Sequence, residues 1–183
     1  MADELIDIYD ENNKSLRLTK MKSEAHKKGL WHRASHIWIY NSKGEMLLQL
    51  RAKDKETYPN KWDISAAGHA GAGETPIITA LREVKEELDL SIKEKDLEFI
   101  RARDSFSIYG GITNREHQSV YLMRFEGNIG DLHAQKEEIQ EIKFFKLDWL
   151  EKDIAAHPEK YVLHSGGYWL NMIKLVRQRL GAK

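Results

Sequence analysis

The segment from Thr75 to Leu90 constrains this chain more than any other. Ile77, Ile78, Leu81, Val84 and Leu88 follow the spacing of a helix with one apolar face, and Pro76 suits its first turn. On that helix Glu83, Glu86 and Glu87 stand at i, i+3 and i+4, so three carboxylates share one face within a single turn. Three like charges at that spacing repel each other. A solvated acidic face is the ordinary outcome of such a run. The alternative is a site built for a hard divalent cation with oxygen ligands, Mg²⁺ or Mn²⁺. Arg82 lies four residues before Glu86 and can pair with it or orient a neighbouring carboxylate.

The rest of the chain sets this helix among strands. Residues 4–9 alternate apolar and polar and stop at Asp10-Glu11-Asn12-Asn13, a strand that enters a turn. Ala34 to Tyr40 and Met46 to Arg51 flank the turn Asn41-Ser42-Lys43-Gly44, and Trp62 to Ala67 is a further short strand. Leu97 to Arg101, Ser119 to Phe125 and Ile142 to Leu147 read as later strands, and Trp149 to Ala156 and Tyr168 to Leu180 as helices. Residues 19–31 show no convincing period and are left as a loop or short helix. Strands, a helix, more strands and terminal helices predict an α+β sandwich rather than a regularly alternating α/β sheet. With 183 residues and no shift of composition, residues 1–183 are expected to form a single domain.

Composition removes several function classes. Lys+Arg and Asp+Glu both number 29, which gives nucleic acid no general electrostatic attraction. The chain has no cysteine, so disulfides, thiolate metal sites and a cysteine nucleophile are all excluded. The acidic N-terminus does not read as a secretory signal, and no apolar run reaches the roughly 18–20 residues a membrane span needs. The expectation is a cytoplasmic protein with no membrane or nucleic-acid partner.

Upstream of the helix, Gly68 is followed after five residues by Glu74 and after seven more by Arg82-Glu83-Val84-Lys85-Glu86-Glu87-Leu88-Asp89-Leu90. This resembles the Nudix box, Gly-x5-Glu-x7-Arg-Glu-U-x-Glu-Glu-x-Gly-U with U aliphatic, and eight of its nine specified positions match. The departure is Asp89 in place of a glycine that ends the helix in a left-handed turn, a role Asp can fill at modest cost. The resemblance implies a Nudix α/β/α sandwich with a mixed central sheet, the box at 68–90 as loop–helix–loop, and C-terminal helices at about 149–181. It also implies a Mg²⁺- or Mn²⁺-dependent attack of water on a small-molecule organic diphosphate, such as a nucleoside diphosphate linked to a group X. Glu83, Glu86 and Glu87 would be metal ligands, with Gly68 at the box entrance. Glu87 or Glu83 would be the general base, with Glu116 as rival, and Arg82 and Glu74 would support the loop.

From about His26 to Trp169 the chain also resembles the type I isopentenyl-diphosphate isomerases, a branch of the same fold. The resemblance rests on Leu30-Trp31-His32-Arg33-Ala34, Trp38, Arg51-Ala52-Lys53-Asp54-Lys55, Tyr58-Pro59-Asn60-Lys61-Trp62 and Gly68-His69. Those isomerases hold a metal with three histidines and two glutamates. His32, His69 and Glu116 match that set, His26 lies one residue closer to His32 than expected, and Asn114 replaces the first glutamate. Arg51 and Lys55 match the residues that grip the substrate diphosphate. Trp169 falls where an isomerase keeps a Trp against its carbocation, though core packing is the favoured reading here. Ala67, however, stands where the isomerase has its catalytic Cys, and a methyl group cannot move a proton. A hydrolase of the isomerase-like branch is therefore expected, with isomerase activity or a non-catalytic diphosphate sensor as alternatives. The span Asp104 to His117 is expected to help choose X. Phe106, Tyr109, Trp31 and Trp62 are candidates to stack on a base or simply to pack. A homodimer is a family-level expectation only.

Overall fold

The computed structural model describes residues 3–181. Its strands and helices run, in order, β1 (Leu5–Tyr9), β2 (Ser15–Met21), α1 (Lys22–Lys28), β3 (Trp31–Asn41), β4 (Glu45–Arg51), β5 (Trp62–Asp63), β6 (Ala66–His69) and α2 (Pro76–Leu88). They continue with β7 (Glu98–Tyr109), β8 (Ile112–Arg124), β9 (Ile139–Lys146), α3 (Leu147–Ala156) and α4 (Tyr168–Gly181). All nine strands join one sheet, in which β3 is the hub. It runs parallel to β8 along Trp31–Tyr40, antiparallel to β6 along Ala34–Ile37, and antiparallel to β4 near its C-terminal end.

Period-two alternation divides the core into two layers. On β3, Ile37 and Ile39 pack with Leu47, Ala80, Val84 and Leu88 beneath α2. Trp38 and Tyr40 pack with Met46, Leu48, Leu150, Trp169 and Ile173 beneath α3 and α4. The result is an α+β arrangement with one helix on one face of a mixed sheet and two on the other, the expected sandwich. Trp169 is buried against Trp38 and Tyr161, as its reading as core requires.

Helix α2 begins and ends for legible reasons. The Thr75 hydroxyl accepts from the Ile78 amide, and Pro76 occupies the first turn, where its missing N–H costs nothing. Asp89 caps the other end in the left-handed region at φ 53°, so the aspartate does adopt the conformation normally given to glycine. Its carboxylate pairs with Lys85.

Several expectations are corrected. Asp104 to His117, given no strand by its sequence, lies within a long hairpin of β7 and β8 that turns at Gly110-Gly111, both at positive φ. The strand expected from Trp62 to Ala67 is two short strands separated by Ile64-Ser65, because the Ser65 hydroxyl donates to the Leu47 carbonyl and accepts from the Ile39 amide. Residues 19–31 split between the end of β2, a two-turn helix α1 and the start of β3, with Gly29 in the left-handed region ending the helix. Among the described residues no helix is long and apolar enough to cross a membrane.

Candidate active site

Two polar clusters meet across β6. One lies on the α2 side and holds the carboxylates. Glu83 and Glu87 are buried, while Glu86 is exposed. Glu83 lies against Gly68, where an added Cβ would stand 1.8 Å from Glu83 Oε1, so only glycine admits that carboxylate. Glu87 Oε2 accepts from Gln49 Nε2 at 3.0 Å and from the Ala67 amide at 3.2 Å.

Arg82 ties the loop to the helix. Its Nε and Nη2 donate to the two carboxylate oxygens of Glu74 at 2.9 and 3.0 Å, Nη2 donates to the His69 carbonyl, and Nη1 bridges Glu83 and Glu86 at 2.7 and 2.8 Å. One guanidinium therefore serves three carboxylates, and Glu87 receives no cation of its own. Burial and the neighbouring Glu83 push the Glu87 carboxyl well above the usual range. Glu83 is raised by burial too, despite Arg82 beside it. Two buried carboxylates short of positive charge are what a divalent cation would satisfy.

Sequence reasoning missed two partners of this cluster. Gln49 orients Glu87 from β4. Glu138, just before β9, is buried, lies close enough to Glu87 to raise its carboxyl further, and keeps Oε1 without a partner. It pairs with Lys55, which brings that amine to the cluster. Arg51 is placed differently from the expectation of a free phosphate grip. Its guanidinium donates to the carbonyls of Thr57 and Tyr58 and to Asp63 Oδ2 at 3.2 Å, so it shapes the 52–61 loop. No local pattern announced Gln49 or Glu138. Only the pairing of β4 and β9 brings them to α2.

The second cluster lies on the other side of β6. Parallel pairing sets His32 beside Glu116, and antiparallel pairing places His69 beside Ala34, two residues along β3 from His32. Helix α1 then delivers His26. The three imidazole rings stand 4.9–5.1 Å apart, and one nitrogen of each comes within 4.8 Å of the others. Glu116 Oε1 lies 3.2 Å from His69 Nε2 and 4.0 Å from His32 Nε2, and it accepts from Asn114 Nδ2 at 2.9 Å. His32 Nδ1 lies 2.9 Å from the Leu30 carbonyl, which fixes the proton there and leaves Nε2 a bare lone pair.

The Nε2 atoms of His26 and His32 are buried without a hydrogen-bond partner, and that of His69 meets Glu116 Oε1. Burial and mutual repulsion push His26 down to about 3 and His32 down to about 4. Three imidazoles converging on a buried carboxylate fit a metal ion. The candidate ligands thus divide into two groups: Glu83, Glu86, Glu87 and Gly68 on one side, His32, His69, His26 and Glu116 on the other. Glu116 belongs with the histidines.

Of the aromatic candidates, Trp31 stacks on His117 at 4.6 Å, Trp62 packs edge-on to Phe145 and Tyr109 meets Tyr58. Phe106 points outward from β7 and is half exposed, with Arg115 over its ring.

Comparison with known proteins agrees with this geometry. The family model described as NUDIX domain matches residues 30–165. An uncharacterized Nudix hydrolase of Listeria innocua is 38% identical over 79% of this chain and 81% of its own length. Nudix hydrolase 3 of Arabidopsis thaliana is 32% identical over 98% of this chain, which spans only 24% of that longer protein. An isopentenyl-diphosphate Delta-isomerase of Serratia proteamaculans is 26% identical over 88% of this chain and 87% of its own. Among solved structures, DR0079 from Deinococcus radiodurans shares the fold, with a TM-score of 0.68 over 96% of this chain and 98% of that one at 23% identity. A box complete but for Asp89, and carried on this sandwich, goes with these matches: the chain belongs to the Nudix hydrolase family.

Proposed function

We propose that this protein hydrolyses an organic diphosphate with Mg²⁺ or Mn²⁺ bound at Glu83, Glu86 and Glu87, and that His26, His32, His69 and Glu116 hold a second ion. The observation that carries the reading is the pair of buried carboxylates, Glu83 and Glu87, left short of positive charge on the face that meets Gly68. A bound divalent ion would neutralise the diphosphate and lower the pKa of a water.

The chain's own groups supply the rest. Glu87 Oε2 is fixed by Gln49 and the Ala67 amide, which leaves Oε1 free to take a proton from the attacking water. Arg82 holds Glu83 in place and clamps the Gly68–Glu74 loop to the helix. Lys55, delivered by Glu138, offers an ammonium to the phosphate oxygens, and Arg51 keeps its loop in shape. Water adds to one phosphorus, the bridging oxygen leaves with the other phosphate, and one proton is released.

The test is phosphate release from a panel of organic diphosphates with Mg²⁺ and Mn²⁺, wild type beside Glu87→Gln. Turnover in the wild type and its loss in the variant are expected. No turnover of any member would count against the reading.

The histidine cluster favours a second reading, in which the protein interconverts isopentenyl and dimethylallyl diphosphate. That isomerisation needs a group to move a proton at carbon, and Ala67 provides none. Isomer formation by the purified wild type, without phosphate release, would replace the first reading by the second.

A further inference from the structure

Strand β7 carries two arginines that the hydrolytic site does not use. Its inward-facing positions are Arg101, Arg103, Ser105, Ser107 and Tyr109, which alternate with the exposed Ala102, Asp104, Phe106 and Ile108. Among the described residues neither Arg101 nor Arg103 has a carboxylate partner, whereas Arg51, Arg82, Arg124, Arg177 and Arg179 are ion-paired, and of the other arginines without an ion pair Arg17 and Arg115 are exposed and Arg33 bonds Asn13. Arg101 Nε and Arg103 Nη1 are moreover buried with no acceptor. A charged donor withdrawn from water and left unbonded is costly, so the arrangement needs a reason.

The surroundings hold the arginines ready. Arg103 lies over the Tyr168 ring, 4.3 Å from its centroid, and Nη2 donates to the Ser165 hydroxyl at 2.9 Å, which leaves Nη1 directed elsewhere. Arg101 lines a groove between β7 and α4 of about 360 Å³, with Lys174, Asn171 and Gln178 on the helix side and no carboxylate in the lining. Desolvation and the nearby Arg101 both lower the Arg103 pKa, the mark of cations without an anion between them. Glu116 is the carboxylate that does act on Arg103, and it is already engaged by His69, Asn114 and Gln118.

This patch shares its sheet face with the histidine cluster. Arg103 pairs across the hairpin with Gln118, and Ser105 pairs with Glu116. Glu116 meets His69, and the neighbouring Gly68 of β6 lies against Glu83 on the opposite face.

We propose that Arg103 and Arg101 bind a phosphate-type oxyanion, and that the substrate is an organic diphosphate whose group X ends in a phosphate monoester. The inference rests on the hydrolase reading for the cleavage itself. The anion site stands on its own observations. Arg103 offers the unengaged Nη1 of a guanidinium held in place by Ser165, and Arg101 and Lys174 add charge at the mouth of the groove.

Two measurements separate the claims. Inorganic phosphate is titrated in metal-free buffer against wild type, Glu87→Gln, Arg103→Gln and Lys152→Gln, the last an exposed lysine on α3. Binding should persist in Glu87→Gln and Lys152→Gln and weaken by about 10–100-fold in Arg103→Gln, the loss expected for a charge-assisted hydrogen-bond pair. Arg103→Lys, which keeps the charge without the fork, should fall between. Equal binding by wild type and Arg103→Gln would overturn the anion site whatever the enzyme hydrolyses. In the second measurement, two diphosphates that differ only in a terminal phosphate monoester are compared as substrates. Wild type should prefer the phosphorylated one through KM, and Arg103→Gln should lose that preference. If phosphate binds but neither diphosphate is cleaved, the hydrolase reading fails and the anion site survives. If both are cleaved without preference, the anion site does not serve the substrate and this assignment is wrong.

Discussion

The two clusters that flank β6 solve the same electrostatic problem from opposite directions. On the α2 side, acids are buried until their carboxyls are pushed upward. On the other side, bases are buried until their imidazoles are pushed downward. Each is a cost that a cation would repay, since a divalent ion stabilises both a carboxylate and a neutral imidazole. They differ in how the chain builds them. The acids come from one helical turn, with Arg82 holding Glu83 and Glu86 in a local network and Gln49 holding Glu87. The histidines come from α1, β3 and β6 and meet only through sheet register. A one-residue slip of β6 against β3 would turn His69 to the opposite face.

The largest predicted effect lies on the acid side. Glu87→Gln keeps the shape and the contacts to Gln49 and Ala67 but loses the charge, so hydrolysis should fall by about 10²–10⁴-fold, the range of a lost acid–base group. Retained turnover, measured as phosphate release, would take the proton-transfer role from Glu87. Next comes the basic side. His32→Gln removes a buried imidazole whose Nε2 has no other partner. It should remove the histidine site's share of the rise in unfolding temperature produced by Mn²⁺, about 2.7 kcal/mol for one site at a hundredfold excess over Kd, and leave the share of the carboxylate site. An unchanged rise would show that the ion goes elsewhere.

A third prediction concerns His36, which lies beyond both clusters on the α4 face, against Tyr168 and His164, and is pushed down to about 3. The unfolded chain takes up this proton near pH 6.5 and the folded chain does not. Stability must therefore be full above that pH and fall as pH drops toward 3, by at most about 1.4 kcal/mol per pH unit. Denaturant unfolding of wild type and His36→Gln at pH 7.5 and 5.0 should show a shallower loss in the variant, and parallel losses would contradict the assignment. The smallest effect is Asp89→Gly, expected to stabilise by about 0.5–1 kcal/mol through relief of the left-handed residue, with turnover unchanged. A matching loss of turnover would mean that the helix end positions the carboxylates more tightly than this account allows.

What was legible in the sequence follows the same division. Thr75, Pro76, the apolar spacing and the acidic turn all lie within one short window and report one helix, so its start and the shared face of the carboxylates could be read directly, while its end at Asp89 followed from the resemblance. Histidine positions 26, 32 and 69 carry no mutual period and gained meaning only from the resemblance to the isomerase branch. The two ends of the β7–β8 hairpin read as strands, but the stretch between them, Asp104 to His117, gives no strand signal because its pattern is inverted. Arginine and serine face inward from β7, while Phe106 and Ile108 are exposed, so the usual apolar-inward alternation is absent. Helix α1 has one buried residue, Ala25, among lysines, which leaves no apolar stripe to find. Arg51 looked like a phosphate ligand because residue type reports charge but not the partners that spend it.

The most direct test is one Mn²⁺ titration of wild type, the double variant Glu83→Gln/Glu87→Gln and the double variant His32→Gln/His69→Gln, with phosphate release read in the same samples. The account predicts two sites per chain in the wild type and one in each double variant, with hydrolysis lost wherever the glutamates are replaced. A single site abolished by both double variants, or hydrolysis that survives loss of Glu83 and Glu87, would contradict it.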